Sequence, residues 1–451
     1  MPTIVATATA TGHAGIGIVR LSGERALAIA EAICARRLRP RHAHLVRFRD
    51  QDQRPIDQGI AVFFPGPRSF TGEDVVELQA HGAPVLLAQL NHAAIALGAR
   101  PARAGEFTER AFLNGRIDLA QAEAVADLIA SQSEAQARAA LRSLCGEFSA
   151  RVQALQAGLE RLRLWLESAL DFPDEEIDFL ADAGLLDQLD VVRNDLAALL
   201  AEAHRGQRLH DGLHAVLLGR PNVGKSSLLN ALAGDERAIV TAIAGTTRDL
   251  LRETIQIDGL SLTLVDTAGL RESAEPIERE GVRRARAELA QADLVLIVLD
   301  ACDADAAQAL AAEAPPAARR ILIHNKIDLS GAAASDAATA IAGLNQRDPI
   351  ELFLSAQSGA GMDALRAVLV HLAGGGEGSD GAFSARARHV AALQTTAAHL
   401  QQAEQRLRTD RAPELCAEEL RLAQQALSAI TGDYRADHLL GAIFSSFCIG
   451  K

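Results

Sequence analysis

The spacing of apolar positions changes several times along this 451-residue chain. Near the N-terminus, "TIVATATA" (3–10) and "GIGIVRLSG" (15–23) are short and rich in β-branched residues, which predicts strands. "QGIAVFFPG" and "EDVVELQAHG" predict further strands, and helical stretches lie near 24–36 and 83–97. The first part of the chain therefore predicts a compact α/β domain.

A helical region follows. No proline occurs between Pro101 and Pro173, and within this interval "DLAQAEAVADLIASQSEAQARAALRSL" and "ALQAGLERLRLWLESAL" repeat apolar residues every three or four positions. This spacing predicts long amphipathic helices, and a further helix is expected to run to about residue 204. Similar sequence, rich in alanine and leucine, returns over 383–447.

Between the helical segments the pattern is different. From Leu213 onward, short apolar runs such as "HAVLLG", "SLTLVD", "DLVLIVLD" and "RILIHN" alternate with helical stretches and end at the glycine-rich "AGGGEGSDGA". Such alternation predicts a mainly parallel sheet with crossover helices, followed by a flexible linker. The fold class is therefore α/β, all-α and α/β. The predicted boundaries are 1–115, 116–211, 212–374 and 375–451.

The order of these segments allows two architectures. In the simpler one, the two helical segments form a single discontinuous domain and the parallel-sheet domain is inserted between them. In the other, three helical or mixed units follow one another in series. The pattern alone leaves both open.

Composition narrows the class of protein. Hydrophobic residues make up 49% of the chain and the net charge is −13, which fits a globular protein and argues mildly against a dedicated nucleic-acid binder. No uncharged apolar run approaches the roughly 18 residues of a membrane span, and no signal peptide is evident. The five cysteines are scattered and odd in number. A cytoplasmic protein without membrane attachment is expected.

The strongest chemical signal is "GRPNVGKS", Gly219 to Ser226, which follows a predicted strand and precedes a predicted helix. It matches the phosphate-binding P-loop, in which glycines let successive N–H groups point at phosphate oxygens. Lys225 can reach the outer phosphates, and the Ser226 hydroxyl can hold Mg²⁺. The motif predicts a binding site for a nucleoside triphosphate.

Three later motifs select the nucleotide. "DTAG" from Asp266 can serve Mg²⁺ through water and a γ-phosphate through a glycine N–H. In "NKID", Asp328 can accept from both N–H groups of guanine, which adenine does not offer, and "SAQSG" from Ser355 can supply a backbone donor to the guanine oxygen. Together the motifs resemble the translation-factor-related GTPases. GTP and GDP are therefore the expected ligands.

The region between the P-loop and "DTAG" supplies a switch loop, "AIVTAIAGTTRD", in which Thr247 is placed to close on Mg²⁺. Leu270 stands where Ras-like proteins carry the glutamine that orients water, so another group must do so. Glu278 is the candidate. The residues assigned to GTP are Asn222, Val223, Gly224, Lys225, Ser226, Ser227, Thr241, Ala242, Ile243, Ala244, Gly245, Thr246, Thr247, Asp266, Thr267, Ala268, Gly269, Asn325, Lys326, Asp328, Ser355, Ala356 and Gln357.

"GRPNVGKSSLLN", "AIVTAIAGTTRD", "DTAGLRE", the N-terminal "GIGIVRLSG" and the terminal "FCIGK" together resemble the MnmE (TrmE) family of tRNA-modification GTPases. The resemblance covers essentially the whole chain. It implies an N-terminal folate-binding domain that dimerises, a discontinuous helical domain, and an inserted G domain that K⁺ activates when two G domains meet. It also implies an FAD-dependent partner, MnmG, in a hetero-oligomer that modifies the wobble uridine of certain tRNAs at C5.

The resemblance also implies roles for individual residues. It assigns K⁺ to Asn222, Thr241, Ile243 and Thr246, and the orientation of the attacking water to Glu278. For a reduced folate, such as 5,10-methylene- or 5-formyl-tetrahydrofolate, it assigns Arg20, Glu77, Arg116 and Lys451. Arg116 stands where the family has lysine, and Gln357 stands where a basic residue is usual. Cys448 would face the substrate uridine as a catalytic thiol.

Other interpretations of these residues remain. Glu77 and Arg20 also fit ordinary solvent-facing strand residues, and Cys448 also fits a small buried apolar residue. A lysine three residues from Cys448 favours a reactive thiolate. For the whole protein, the alternative is an Era-like GTP-dependent switch in RNA binding or ribosome assembly, which shares the P-loop and the leucine after "DTAG". Such a switch would carry an RNA-binding module with a GXXG loop, which the C-terminal segment lacks.

Overall fold

The computed structural model describes most of the chain, which divides into two compact units. The described residues are 1–131, 133–171, 183–233, 252–257, 260–266, 288–290, 292–302, 319–344, 349–372, 383–410, 412–432, 443–444, 447 and 450.

The first unit comprises Met1–Ala126, Ser143–Arg193 and Thr395–Lys451. Its N-terminal part contains a six-stranded sheet of order β3-β4-β5-β2-β1-β6, antiparallel except where β6 pairs with β1. Its elements are β1 (Ile4–Thr7), β2 (Ala14–Ser22), α1 (Ala26–Cys34), β3 (His44–Arg49), β4 (Pro55–Phe64), β5 (Val75–Gly82), α2 (Pro84–Ala96), β6 (Arg100–Pro101) and α3 (Glu106–Leu113).

The sheet forms because its strands alternate buried and exposed side chains. In β3, His44, Val46 and Phe48 are buried while Leu45 and Arg47 are exposed. Helices α1 and α2 contribute Ile29, Ile33, Leu87 and Leu90 to the same core, among others. The predicted strands and both predicted helices of this region are confirmed. Strands β3 and β6 were not predicted; β6 is two residues long and includes a proline, so its sequence carries no alternating pattern.

In the part of the helical region that the structure describes, four helices precede the second sheet and two follow it. These are α4 (Leu119–Ala130), α5 (Glu134–Leu144), α6 (Glu147–Asp171), α7 (Ala183–Asp211), α12 (Ala387–Arg408) and α13 (Pro413–Thr431).

Within the first unit, helices from both sides of the inserted segment pack together. Arg163 on α6 donates to the side-chain oxygen of Gln424 on α13 at 2.5 Å. Arg193 on α7 donates to Glu404 on α12 at 2.5 Å. These contacts join positions more than 200 residues apart in sequence. The helical domain is therefore discontinuous, as the insertion architecture predicts; its exact boundaries stay a prediction.

The end of the chain also packs within the first unit. Phe444 and Phe447 lie in a buried cluster with Phe112 and Leu119. Gly450 is so close to β1 that an added Cβ would lie 2.1 Å from the Thr7 carbonyl oxygen. Since its φ is also +97°, this position of the tail suits glycine alone.

The second unit comprises Asp127–Arg142 and Asn194–Gln394. Its six-stranded sheet has the order β12-β11-β10-β7-β9-β8, with β8 alone antiparallel to its neighbour. The remaining elements are β7 (Leu213–Leu218), α8 (Lys225–Ala233), β8 (Arg252–Ile257), β9 (Leu260–Asp266), β10 (Leu294–Asp300), β11 (Arg319–Asn325), α9 (Ile327–Ser330), α10 (Ala337–Gly343), β12 (Ile350–Phe353) and α11 (Met362–Val370).

Strand β10 has the sequence pattern of a central strand in a parallel sheet. Its sequence is apolar from Leu294 to Leu299, and every one of those residues is buried. Leu294, Leu296 and Val298 enter one core, and the intervening residues enter another. A strand covered on both faces loses the apolar–polar alternation of a half-exposed one. The predicted fold class, α/β with all-α and a second α/β sheet that is mainly parallel, is confirmed.

A buried carboxylate connects the two chain segments that lead into and out of this sheet. Asp127 lies 3.0 Å from the Nε2 of His210, which is near the end of α7. On the return segment, Ser384 donates its hydroxyl to Asp127 at 2.7 Å and Arg386 donates to it as well. Burial would raise the pKa of Asp127, but the hydrogen bonds from His210 and Arg386 hold it at about 2. We call this group the Asp127 clasp.

Among the described residues, no helix combines the length and the apolar character that crossing a bilayer requires.

The Asp127 clasp predicts a pH-dependent stability. Hydrogen bonds to Asp127 and Asp211 raise the pKa of His210 to about 9. The pKa of a histidine in an unfolded chain is about 6.5. The stabilisation is therefore fully present below about pH 6.5 and is lost as the pH rises through about 9. We expect His210→Gln to lower stability by on the order of 2 kcal/mol at pH 6 and much less at pH 9.5.

Thermal unfolding of both proteins from pH 6 to 10 measures this difference. His371→Gln, at an exposed histidine of the same unit, is the matched control. A gap between wild type and His210→Gln that stays constant over the whole pH range would contradict the assignment.

Candidate nucleotide-binding site

The P-loop connects the end of β7 to the start of α8, as the sequence predicts. Residues 219–224 form the loop, and Lys225 is the first residue of the helix. At Gly219 an added Cβ would lie 2.5 Å from the Val298 carbonyl oxygen, so the loop needs glycine to pass β10. The backbone N–H groups at the start of α8 have no partners within the helix and create a site of positive potential for phosphate.

Lys225 is buried under this loop. Its ammonium donates to the carbonyl oxygens of Gly219, at 2.9 Å, and Arg220, at 3.2 Å. An ammonium has three donors, so one is left to reach an anion. Ser226 and Ser227 are exposed beside it. This arrangement is suited to a phosphate chain with its metal ion.

The asparagine of "NKID" joins three loops. Asn325 ends β11 and is buried; its amide nitrogen donates to the Val223 carbonyl in the P-loop at 2.9 Å. Its amide oxygen accepts from the Ala356 N–H of "SAQSG" at 3.0 Å. The amide nitrogen and the amide oxygen of Asn325 both form hydrogen bonds. The P-loop and the two loops predicted to bind the base therefore hold a fixed geometry.

Lys326 adds a second connection to the P-loop. It has a left-handed backbone (φ +68°), and its ammonium donates to the Asn222 carbonyl oxygen at 2.8 Å. The same ammonium lies 2.8 Å from the carboxylate of Asp300, at the end of β10. The hydrogen bond from Lys326 lowers the pKa of Asp300. Sequence reasoning missed Asp300, although its position at the end of an apolar strand was a usable signal.

The remaining residues that are predicted to bind the base lie near these loops. Asp328 is exposed in the first turn after Lys326, as a carboxylate that reads a base edge must be. Ser355 is buried, and its hydroxyl accepts from the Ser358 N–H at 3.1 Å, while Gln357 is exposed. In this structure the Ala356 N–H is engaged by Asn325. One backbone donor of "SAQSG", the segment predicted to contact the guanine oxygen, is therefore used within the protein.

Part of the predicted site cannot be placed. Asp266 ends β9 and pairs in register with Leu217 of β7, so its backbone lies at the same edge of the sheet as the P-loop. The other residues of the switch loop and of "DTAG", together with the two predicted catalytic residues and one folate residue, lie outside the described residues. These are Thr241, Ala242, Ile243, Ala244, Gly245, Thr246, Thr247, Thr267, Ala268, Gly269, Glu278, Cys448 and Lys451.

A second candidate site lies in the first unit. Arg20 on β2 and Glu77 on β5 are directly opposite in the antiparallel register. Arg20 donates twice to Oε1 of Glu77, at 2.9 and 3.0 Å. The guanidinium carbon of Arg20 also lies 5.8 Å from the centre of the Phe107 ring and 6.0 Å from that of Phe70. The pair is therefore half-buried and ordered, unlike a freely solvated strand carboxylate.

Arg116, the third described residue that is predicted to bind folate, is exposed and lies next to the loop of residues 70–72. An added Cβ on Gly72 would lie 3.3 Å from Cγ of Arg116, so the arginine stem lies against that glycine. Asn114 donates to the Thr71 carbonyl at 2.6 Å and anchors this contact. The loop of residues 70–72 thus contacts Arg20 on one side and Arg116 on the other.

The P-loop on a mainly parallel sheet, with the "NKID" motif beside it, defines the class: this protein is a P-loop GTPase, which hydrolyses GTP to GDP and phosphate. Comparison with known proteins then gives the family. A family model described as "GTP-binding protein TrmE N-terminus" matches residues 3–116, and one described as "MnmE helical domain" matches residues 119–448.

Curated relatives agree along the full length. A "tRNA modification GTPase MnmE" of Xanthomonas campestris pv. campestris (strain B100) is 58% identical, covering 100% of this chain and 99% of the relative. Proteins with the same description from Ectopseudomonas mendocina and Methylococcus capsulatus are 53% and 52% identical, each covering 100% of this chain. The chain belongs to the MnmE family of tRNA modification GTPases. The Era-like alternative is therefore wrong.

The contact of Asn325 with the P-loop leads to a prediction about Gly224. An added Cβ at Gly224 would lie 2.3 Å from the Asn325 side-chain nitrogen, and the φ of +97° already disfavours a side chain. We expect Gly224→Ala to displace Asn325 and weaken GDP binding by about 100-fold or more, at roughly 1.4 kcal/mol for each factor of ten.

Titration with a fluorescent GDP analogue measures this loss. Gly331→Ala is the matched control, because Gly331 has a φ of +74° but open space where a Cβ would be. Equal affinities of the two variants would show that backbone strain alone, and not the Asn325 contact, limits position 224.

Proposed function

We propose that this protein is a K⁺-stimulated GTPase that acts with an MnmG-type FAD protein to modify the wobble uridine of certain tRNAs at C5. A reduced folate, 5,10-methylene- or 5-formyl-tetrahydrofolate, is the one-carbon donor. The observation that carries the proposal is the position of the C-terminal tail. Gly450, two residues after Cys448 and one before Lys451, lies against Thr7, the residue that follows the partner of Arg20 in the β1–β2 register.

The Arg20–Glu77 pair fits a pterin ring. Arg20 uses Oε1 of Glu77, and Oε2 has no hydrogen-bond partner among the described residues. A carboxylate with a free oxygen accepts well from the adjacent N–H donors of a pterin, and charge-assisted hydrogen bonds of this kind are strong. Phe70 and Phe107 exclude water from one side of Arg20. Arg116, at the other side of the loop, supports the site with a positive charge for the anionic part of the folate, and Lys451 would add a second.

Cys448 is proposed to face the uridine base as a catalytic thiol. The folate supplies the one-carbon unit when it is bound. The residues of the chain hold it: Glu77 orients the ring, and the cations fix its acidic tail. The contact of Gly450 with Thr7 supports this role for the tail, because Cys448 is two residues before Gly450 in the sequence.

The GTPase site fits a metal ion and an alkali cation at the phosphates. The hydroxyls of Ser226 and Thr247 are the proposed Mg²⁺ ligands, and both are hard oxygen donors. For K⁺, the proposed ligands are Asn222, Thr241, Ile243 and Thr246. Asn222 is exposed, and its carbonyl is held by Lys326, so its side chain is free to turn toward the phosphates.

The proposed cation would stabilise the charge that develops during GTP hydrolysis. Charge develops on the phosphoryl oxygens in the transition state, and a positive charge there accelerates hydrolysis by roughly 10³–10⁵ in GTPases that use an arginine. Leu270 cannot orient water, so Glu278 is proposed to do so. Four oxygens hold a cation weakly unless the switch loop closes, and closure against a second G domain would complete the site. The protein is therefore proposed to work as a homodimer in the cytoplasm.

The proposal predicts a specific salt response. GTP turnover is expected to rise at least tenfold when KCl replaces NaCl at equal ionic strength, and Asn222→Lys is expected to abolish this rise because its ammonium repels the cation. Steady-state phosphate release measures both. Equal rates of the wild type in the two salts would exclude the cation mechanism, and normal turnover by Glu278→Ala would exclude the role of Glu278.

The folate site gives an independent prediction. Glu77→Gln keeps the shape but removes the charge that pairs with Arg20 and with a pterin, so binding of 5-formyl-tetrahydrofolate should weaken by about 10- to 100-fold. Isothermal titration calorimetry measures this loss. Asp52→Asn, at an exposed carboxylate of the same unit, is the matched control. Unchanged binding by Glu77→Gln would place the folate elsewhere.

A further inference from the structure

Asp300 has no part in the nucleotide chemistry described so far, yet its carboxylate is fully engaged. One oxygen accepts from the backbone N–H of Cys302 at 3.0 Å. The other lies 2.8 Å from the ammonium of Lys326. Strand β10 ends at Asp300 and pairs there with Asn325, the residue before Lys326. The parallel register therefore places this carboxylate beside the loop that reads the base.

Lys326 bridges two parts of the site. Its ammonium also donates to the carbonyl oxygen of Asn222 at 2.8 Å. The neighbouring carbonyl, of Val223, accepts from Asn325 at 2.9 Å. Two consecutive residues of the base-reading loop thus bind two consecutive carbonyls of the P-loop. The left-handed backbones of Asn222 and Lys326, each with a φ of +68°, turn these groups toward each other.

Without a carboxylate at position 300, the Asn222 carbonyl oxygen would be the one acceptor left for the Lys326 ammonium among the described residues. A lysine side chain has four rotatable bonds and a strongly hydrated head, so a single carbonyl acceptor fixes it poorly. A second, charged acceptor on the opposite side restricts it. The side chains of Lys326 and Asp300 are only 30% and 26% exposed, so water competes less for the pair than on an open surface.

We propose that Asp300 is a positioning residue for the GTPase site. It holds the Lys326 ammonium on the Asn222 carbonyl, and so fixes both the lysine that flanks the guanine base and the backbone of the P-loop residue whose side chain is the proposed cation ligand. The nucleotide part rests on the GTPase class alone, and the cation part rests on the proposed function. Asp300 acts through Lys326 and touches neither nucleotide nor cation.

This arrangement also explains a feature of the sequence. The chain has 45 basic residues but only three lysines, and one of them is Lys326. The ammonium here makes one bond to a carbonyl and one to a carboxylate on different loops, as a compact point donor can. A planar guanidinium has a fixed fork of donors and a larger volume, so arginine would not reproduce this bridge.

A double-mutant cycle tests the proposal. The affinity for a fluorescent GDP analogue is measured in NaCl for the wild type, Asp300→Ala, Lys326→Ala and the double variant. If Asp300 acts through Lys326, Asp300→Ala should weaken GDP by about five- to tenfold in the wild type but have almost no effect when Lys326 is absent. A purely structural role would cost the same in both backgrounds, and that result would overturn the proposal.

Two further variants keep the test sharp. Asp300→Asn keeps the size of the side chain and one acceptor oxygen. Its loss of GDP affinity should be about half of the Asp300→Ala loss on a logarithmic scale. This variant separates charge from shape if the alanine variant folds poorly. Asp363→Ala, at a carboxylate whose side chain is 96% exposed, is the matched control and should bind GDP like the wild type. A loss in Asp363→Ala equal to that in Asp300→Ala would also overturn the proposal.

The cation part has its own measurement. The KCl concentration for half-maximal turnover should rise several-fold in Asp300→Asn, with a smaller change in turnover at saturating KCl. If the wild type shows no response to KCl, the proposed cation mechanism fails, but the GDP cycle in NaCl still decides the role of Asp300. If the wild type responds and Asp300→Asn responds identically, the link from Asp300 to the cation is wrong.

Discussion

The nucleotide site depends on one buried side chain, the amide of Asn325. The loops predicted to bind the nucleotide follow different strands, and loops in general are the mobile part of a fold. The two hydrogen bonds of Asn325, to Val223 and from Ala356, convert three of these loops into one body. Because Asn325 is 2% exposed, water cannot substitute for either partner, and a lost bond would leave a buried polar group unpaired.

Hydrogen bonds to one buried side chain also connect the two chain segments that lead into and out of the second sheet. The segments are the end of α7 and the residues that precede α12. Asp127 binds His210 on the first segment and Ser384 and Arg386 on the second. Replacing such a group by apolar residues can be neutral for stability, so we infer that its value lies in fixing one geometry of the two segments.

Sequence predicted the fold class and the order of its parts because long periodic helices and buried strands such as β10 carry strong patterns. It also predicted the P-loop between β7 and α8, since P-loop chemistry tolerates few residue types. It missed β3, whose alternation is short, and it missed Asp300. Asp300 matters only through its register partner Asn325, and no local pattern reveals a pairing between residues 25 positions apart. Nor did it show that Glu77 has Arg20 as its partner, which depends on the β2–β5 register.

Charged networks lie where orientation matters, and apolar cores fill the space between them. In the first unit, Arg110 is almost fully buried and donates to Glu73, to Glu106 and to the carbonyl of Pro2, so that it joins α3 to the start of the chain. Burial would raise the pKa of Glu106, yet hydrogen bonds from Arg100, Arg103 and Arg110 hold it at about 2. Dispersion and burial are non-directional and cannot choose among similar packings. A desolvated ion with two or three fixed partners can, since every alternative arrangement leaves a charge unpaired.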